Sequence, residues 1–266
     1  MSTAQAVRTA RALWWGWKAE FSGAAEYRMD LVSGTLVSAV WLGLSIAPML
    51  VVAANSATAS GWTLPRLLFL QSVWYLMDAM LWMVISTNAR EISTMVRDGT
   101  LDALLLRPVS SLATCTLGHL YVQDVPKVAL ALGLGVVSCV MGGGPASLPA
   151  LIGCLVSVVC ACCLMWAVGV LANYKAISQV RFDGMFALQA AHNLARVPVP
   201  LYGPALQVLL TFVVPVAFLC TVPAQVLFGD VDLRWVAAAV VVTAVAIWVT
   251  SRLWNRELRN YAGAMG

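Results

Sequence analysis

Residues 90–108 read REISTMVRDGTLDALLLRP, and the reading of this stretch decides the fold. Arg90, Glu91, Arg97, Asp98, Asp102 and Arg107 crowd into it, in a chain that is only 11% charged. Long apolar runs flank it on both sides. Residues 91–96 favour helix, Asp98-Gly99 breaks the run, and Leu101, Leu104 and Leu105 then recur at helical spacing. Pro108 stops the second turn, because it has no N–H to donate. Region 88–110 therefore reads as a short bent helical element at a membrane surface, with an apolar and a charged edge. An amphipathic loop helix that only caps two spans would carry the same pattern.

The composition around it excludes a soluble globular domain. The chain is 61% apolar, with mean hydropathy +0.84. A hydrocarbon core about 30 Å thick needs roughly 20 apolar residues per helical span, and several such runs are present. No alternating strand pattern offers a barrel. The expectation is one all-α polytopic membrane domain over 1–266, in a bacterial plasma (inner) membrane. The first thirty residues are too charged for a cleavable signal peptide.

Taken in order, residues 2–28 form an amphipathic helix. Leu13, Trp14, Trp17, Phe21 and Ala24 share one arc, and Arg8, Arg11, Lys18 and Glu26 share the other. Such a helix lies in the headgroup plane, at the depth that suits Trp14, Trp15 and Trp17. A topology anchor would look the same. Six spans are expected, at about 31–54, 64–87, 118–141, 148–172, 205–227 and 233–254. The fifth is open to a second reading. Pro198, Pro200, Pro204, Pro215 and Pro223 are dense there, and the second reading puts the span at 182–196 with a re-entrant hairpin over 197–228.

Arg8, Arg11, Lys18, Arg28, Arg90, Arg97, Arg107, Lys175, Arg181, Arg196, Arg252, Arg256 and Arg259 all fall on one side of this topology. By the positive-inside rule both termini and the charged stretch are cytoplasmic. No basic face interleaves with stacking aromatics, so nucleic acid is not an expected partner. Lys18, Lys127 and Lys175 each lack a preceding glycine, so there is no P-loop. The seven cysteines read as small apolar residues, and no metal site is expected. His119 and His192 read as isolated interfacial or loop residues.

The intramembrane charges are the positive chemical signal. Asp78 near the middle of a span must face protein or water, since exposure to lipid costs roughly 2.5–3.5 kcal/mol. Asp124 and Lys127, at i and i+3, partly neutralise each other, and Pro126 between them is expected to kink the third span. These three residues line either a water-accessible path or a subunit seam; a purely structural ion pair is the other reading. An ion-coupled carrier using Asp78, or a membrane enzyme using Asp78, Asp124 or His192 as acid or base, is also compatible with them.

Several motifs together resemble the membrane subunits of ABC-2 type exporters, the ABC-2 family transporter proteins. They are Glu26-Tyr27-Arg28, Glu91-Ile92, Arg97-Asp98-Gly99-Thr100-Leu101-Asp102, Leu105-Leu106-Arg107-Pro108, Pro215-Val216-Ala217-Phe218, Pro223-Ala224 with Leu227, and Leu258-Arg259-Asn260-Tyr261-Ala262-Gly263. The run G-T-L-D-x-L-L-x-R-P is the most specific part, and the resemblance covers nearly the whole length. It implies a type V exporter-like permease without its own ATPase site. ATP and Mg would sit on separate ABC ATPase subunits, and a second permease, identical or a sister chain, would complete the assembly. It implies that region 88–110 is a coupling helix. Leu101, Leu104 and Leu105 would supply apolar contact, Glu91, Arg97, Asp98, Asp102 and Arg107 orientation, Gly99 the bend, and Pro108 the stop. It also implies that residues 2–28, with Trp14, Trp17, Phe21, Glu26, Tyr27 and Arg28, resemble a gate helix.

Overall fold

A computed structural model of the chain describes residues 3–26, 28–177, 184–230 and 232–260. The described residues are mostly helical and form no strand. Helix α1 spans Thr3–Glu26 and α2 Arg28–Ser60. Helix α3, Leu64–Met80, passes through a π turn, Leu81–Ser86, into α4, Thr87–Arg97. Short helices α5 (Leu101–Leu105) and α6 (Ser111–Leu117) follow. The remainder is α7 (Val125–Met141), α8 (Leu148–Asn173), α9 (Met185–Leu194), α10 (Pro204–Val208), α11 (Thr221–Leu227) and α12 (Arg234–Asn260).

Among the described residues, five helical stretches are long and apolar enough to cross a membrane: Met29–Val51, Leu64–Arg97, Val122–Met141, Leu148–Asn173 and Arg234–Asn260. Their starts follow local chemistry. Ser147 accepts from the Ala150 N–H to cap α8, and Ser110 accepts from Ala113 to cap α6. The second span is longer than expected. It does not end near residue 87 but continues as helix to Arg97, so the first half of the charged stretch is the end of a membrane helix.

The third span differs too. Residues 118–121 are not helical, and the membrane helix begins at Val122. Pro126 falls in the first turn of α7 and produces no kink. Its missing N–H would have had no helical partner there, so Pro is tolerated.

Helix directions follow from cross-links. Tyr75 donates to the Ser38 carbonyl and Gln71 to Ser45, so α2 and α3 are antiparallel. Thr243 and Thr250 of α12 donate to the Cys160 and Ala167 carbonyls of α8, both at 3.3 Å and both across 83 residues. Helices α8 and α12 are therefore parallel, and the chain between them must recross the bundle. It does not do so by a plain helix over 205–227. Pro215 cannot donate and drives Val214 to φ −112°, ψ 99°, so the apolar run breaks there. The helix expected over 182–196 starts outside the described residues; its described part, α9, has ten residues, too few to cross the hydrocarbon core by itself.

A hairpin describes 204–227 instead. Its bend, Val214–Pro215, packs beside Leu164, Met165 and His192 in the interior, and its second arm, α11, ends beside the 142–147 turn. There Ala146 N–H donates to the Leu227 carbonyl, and Arg66 pairs with Asp230 at 2.7 Å. The opposite end holds α1, α4, α5, α6 and the end of α12, joined where Trp254 donates to Ser111.

Helix α8 presses on the π turn. A Cβ on Gly169 would meet Ile85 Cγ2 at 2.6 Å, so only glycine permits this approach. Labelling tests the topology: in a background lacking the native cysteines, Leu106→Cys and Ala146→Cys should react with an impermeant maleimide from opposite sides of the membrane. Reaction from the same side would refute the crossing of α7 between the two positions.

Candidate functional site: a charged cavity and an exposed turn on one helix

Helix α3 carries Asp78 one turn before its π segment. Lys127 Nζ lies 3.3 Å from Asp78 Oδ2 and 3.1 Å from Asp124 Oδ1. The expected Asp124–Lys127 pair is present, and Lys127 also ties α7 to α3 through Asp78. All three side chains are largely buried. Two carboxylates sharing one ammonium offset part of their desolvation cost.

His192 and Arg196 join this site, whereas the sequence reads His192 chiefly as an interfacial or loop residue, with an acid–base role as the alternative, and Arg196 as a cytoplasmic-side basic residue. His192 is 1% exposed, not an interfacial or loop residue. Its ring stacks on Trp74 at 4.7 Å, and Nε2 stands 3.5 Å from Asp78 Oδ1. At that length the contact is electrostatic, and neither ring nitrogen has a hydrogen-bond partner among the described residues. The Arg196 guanidinium lies 5.3 Å over the same Trp74 ring. A cavity of about 590 Å³ opens here, lined by Trp41, Trp82, Asp78, Lys127, Asn193 and Arg196 among others. The signal was legible: Gln189, Asn193 and Arg196 recur at i, i+4 and i+7 within an apolar segment, one polar stripe on a helix face.

At the other end of the continuous helix, Gly99 at φ 70° makes the turn from α4 into α5. The apolar edge of this turn faces inward. Leu101 is 1% exposed and packs with Ile92, Cys115, Val170 and Trp254, while Leu104 and Leu105 lean on the same cluster. Leu101 is therefore not offered to a partner, which corrects its expected role as a docking contact. Burial in this cluster pushes the Cys115 thiol up to about 12. The side chain that is offered is Leu106, 88% exposed, with Ala103, Arg107 and Pro108 also at the surface. Arg97 and Asp98 are exposed and pair at 3.4 Å; Glu91 and Asp102 are half-buried.

The link between α6 and α7 is held from both sides. Asn88 donates to the His119 carbonyl and accepts from the His119 N–H. The Tyr121 N–H donates to the Met83 carbonyl, in the π turn. Glu20 of α1 accepts from the Leu120 N–H and contacts His119 Nδ1 at 2.9 Å, and Trp17 donates to the Leu117 carbonyl at 2.7 Å. Helix α1 is thus bolted to the bundle by Trp17 and Glu20, while Trp14 and Phe21 remain exposed. Tyr27 lies outside the described residues, as do the side chains of Glu26 and Arg28.

A sequence profile of the ABC-2 family transporter proteins matches residues 39–265. The chain belongs to this family. No curated protein and no solved structure matches it. The membership makes this multi-pass protein a permease subunit of an ABC transporter, working with an ATPase partner. The matched region contains α3 to α12, and so both the cavity and the turn of the permease.

Lys127→Met leaves two buried carboxylates without their shared cation, and should cost roughly 3–5 kcal/mol of stability. Asp124→Asn, which leaves Lys127 paired with Asp78, should cost clearly less. Thermal unfolding in detergent checks this; equal losses would contradict a shared cation.

Proposed function

We propose that this permease is the membrane half of an ATP-driven exporter, with the 98–108 turn as its docking point for the ATPase and the Asp78 cavity on the cargo's path. One observation carries the reading. Helix runs without a gap from Leu64 to Arg97, so the residue lining the cavity and the turn beside Leu106 share one element. Nineteen residues separate Asp78 from Arg97, which is about 28 Å of helix at 1.5 Å per residue. A push on the turn is delivered to the cavity as rigid-body motion of that helix.

In this account the chain supplies no nucleotide site of its own, and ATP and Mg reside on the partner ATPase. Two permeases, identical or sister chains, complete the assembly. The basic residues of α1, the turn and the end of α12 gather at one end of the bundle, which supports a cytoplasmic placement of both termini in a bacterial plasma membrane. Trp14, Trp15 and Phe21, exposed on α1, would rest in the headgroup layer as a gate helix does.

The docking contact moves from Leu101, Leu104 and Leu105 to Leu106, Arg107 and the exposed end of α4. Leu106→Asp should abolish stimulation of the partner ATPase while leaving membrane insertion and melting temperature unchanged. Leu101→Ala should instead lower stability by roughly 2–5 kcal/mol, as a buried-core truncation. Normal ATPase coupling in Leu106→Asp would overturn the docking assignment.

A further inference from the structure

Among the described residues, four charged side chains line the cavity: Asp78, Asp124, Lys127 and Arg196. Two carboxylates against one ammonium leave the Asp78–Lys127–Asp124 cluster with one negative charge in excess. Arg196 supplies the balancing positive charge from the α9 side, and it pairs with none of the carboxylates that line the cavity. Its guanidinium is held over Trp74, and among the described residues Nη2 reaches the Leu44 carbonyl at 3.4 Å while the buried Nε has no hydrogen-bond partner. The wall is therefore neutral in sum but dipolar, anionic towards α3 and α7 and cationic towards α9. The His192 ring lies against Asp78 but does not line the cavity.

A wall of this kind selects by charge pattern. A singly charged ligand would satisfy one pole and leave the other unpaired at membrane depth, where an uncompensated charge is costly. A ligand carrying both signs pairs both poles and adds no net charge. Trp41 and Trp82 present aromatic surface suited to a cationic group, while Gln189 and Asn193 add amide donors on the Arg196 side, suited to an anion. The α2 wall is lipid-like on its outer side, with Trp41 62% and Leu44 59% exposed, so a ligand with an apolar tail can lie alongside it.

We propose that the cavity binds the zwitterionic headgroup of an amphiphile, its cation against Asp78 and Asp124 and its anion on Arg196. This rests on the cavity lying on the cargo's path, and it names the cargo's class. The test uses the full chain in dodecyl maltoside, titrated by native mass spectrometry with dodecylphosphocholine, dodecyltrimethylammonium, dodecyl phosphate and tail-free glycerophosphocholine. Dodecylphosphocholine should bind at least tenfold more tightly than either singly charged probe. Glycerophosphocholine should bind far more weakly; equal binding would overturn the amphiphile in favour of a soluble zwitterion.

Arg196→Gln should switch the preference to dodecyltrimethylammonium, and Asp78→Asn should switch it to dodecyl phosphate. A merely structural role for these residues would weaken all probes alike. Lack of headgroup discrimination in the wild type, or unchanged selectivity in Arg196→Gln, would overturn the proposal. Binding is read without any ATPase, so a failure here is distinguishable from a failure of coupling at Leu106.

Discussion

Lys127, held between Asp78 and Asp124, is the interaction on which the rest of the bundle depends. Charge at membrane depth is tolerated only when it is paired or wetted, and one ammonium here answers two carboxylates from two helices. The pairing fixes how α3 sits on α7. It also places Asp78 against His192, and so draws the irregular segment after α9 into the core. Trp74 is clasped on the same site, stacked on His192 and lying under Arg196, with its own N–H donated to the His192 carbonyl at 3.0 Å. A polar centre assembled from three separate parts of the chain thus organises a bundle that is otherwise apolar.

The second demand of a membrane is that backbone groups find partners inside the protein. Where the chain is helical this is automatic. Where it is not, side chains do the work. Asn88, Glu20 and Trp17 serve the 117–120 link, and Thr221 accepts from the Val199 N–H at 3.2 Å beside the hairpin. The broken return between α8 and α12 is possible for this reason, and the cavity opens beside its first part, α9.

Much of this was legible in the sequence. Run length located the apolar helices, the Asp98-Gly99 break is a turn with Gly99 at positive φ, and the i, i+3 spacing of Asp124 and Lys127 marked an ion pair. Proline density left the 205–227 run ambiguous, and Pro215 is where it breaks. Other features depend on packing that no local pattern encodes. Leu101, Leu104 and Leu105 look like a free apolar edge, yet the edge is already occupied by Trp254 and Val170 from distant helices. His192 is distinguished only by what stands next to it. Pro126 makes no kink because that effect needs several turns of helix before it, and after the 118–121 break only a single turn, Val122–Asp124, precedes α7.

The permease therefore presents a buried dipolar cavity and a surface turn joined by one helix. The most direct test is a photo-crosslinking amino acid placed at position 106 in living cells, with crosslinked partners identified by mass spectrometry. The account predicts an adduct with a P-loop ATPase subunit that changes with nucleotide state. Adducts with lipid or with this chain alone would contradict it.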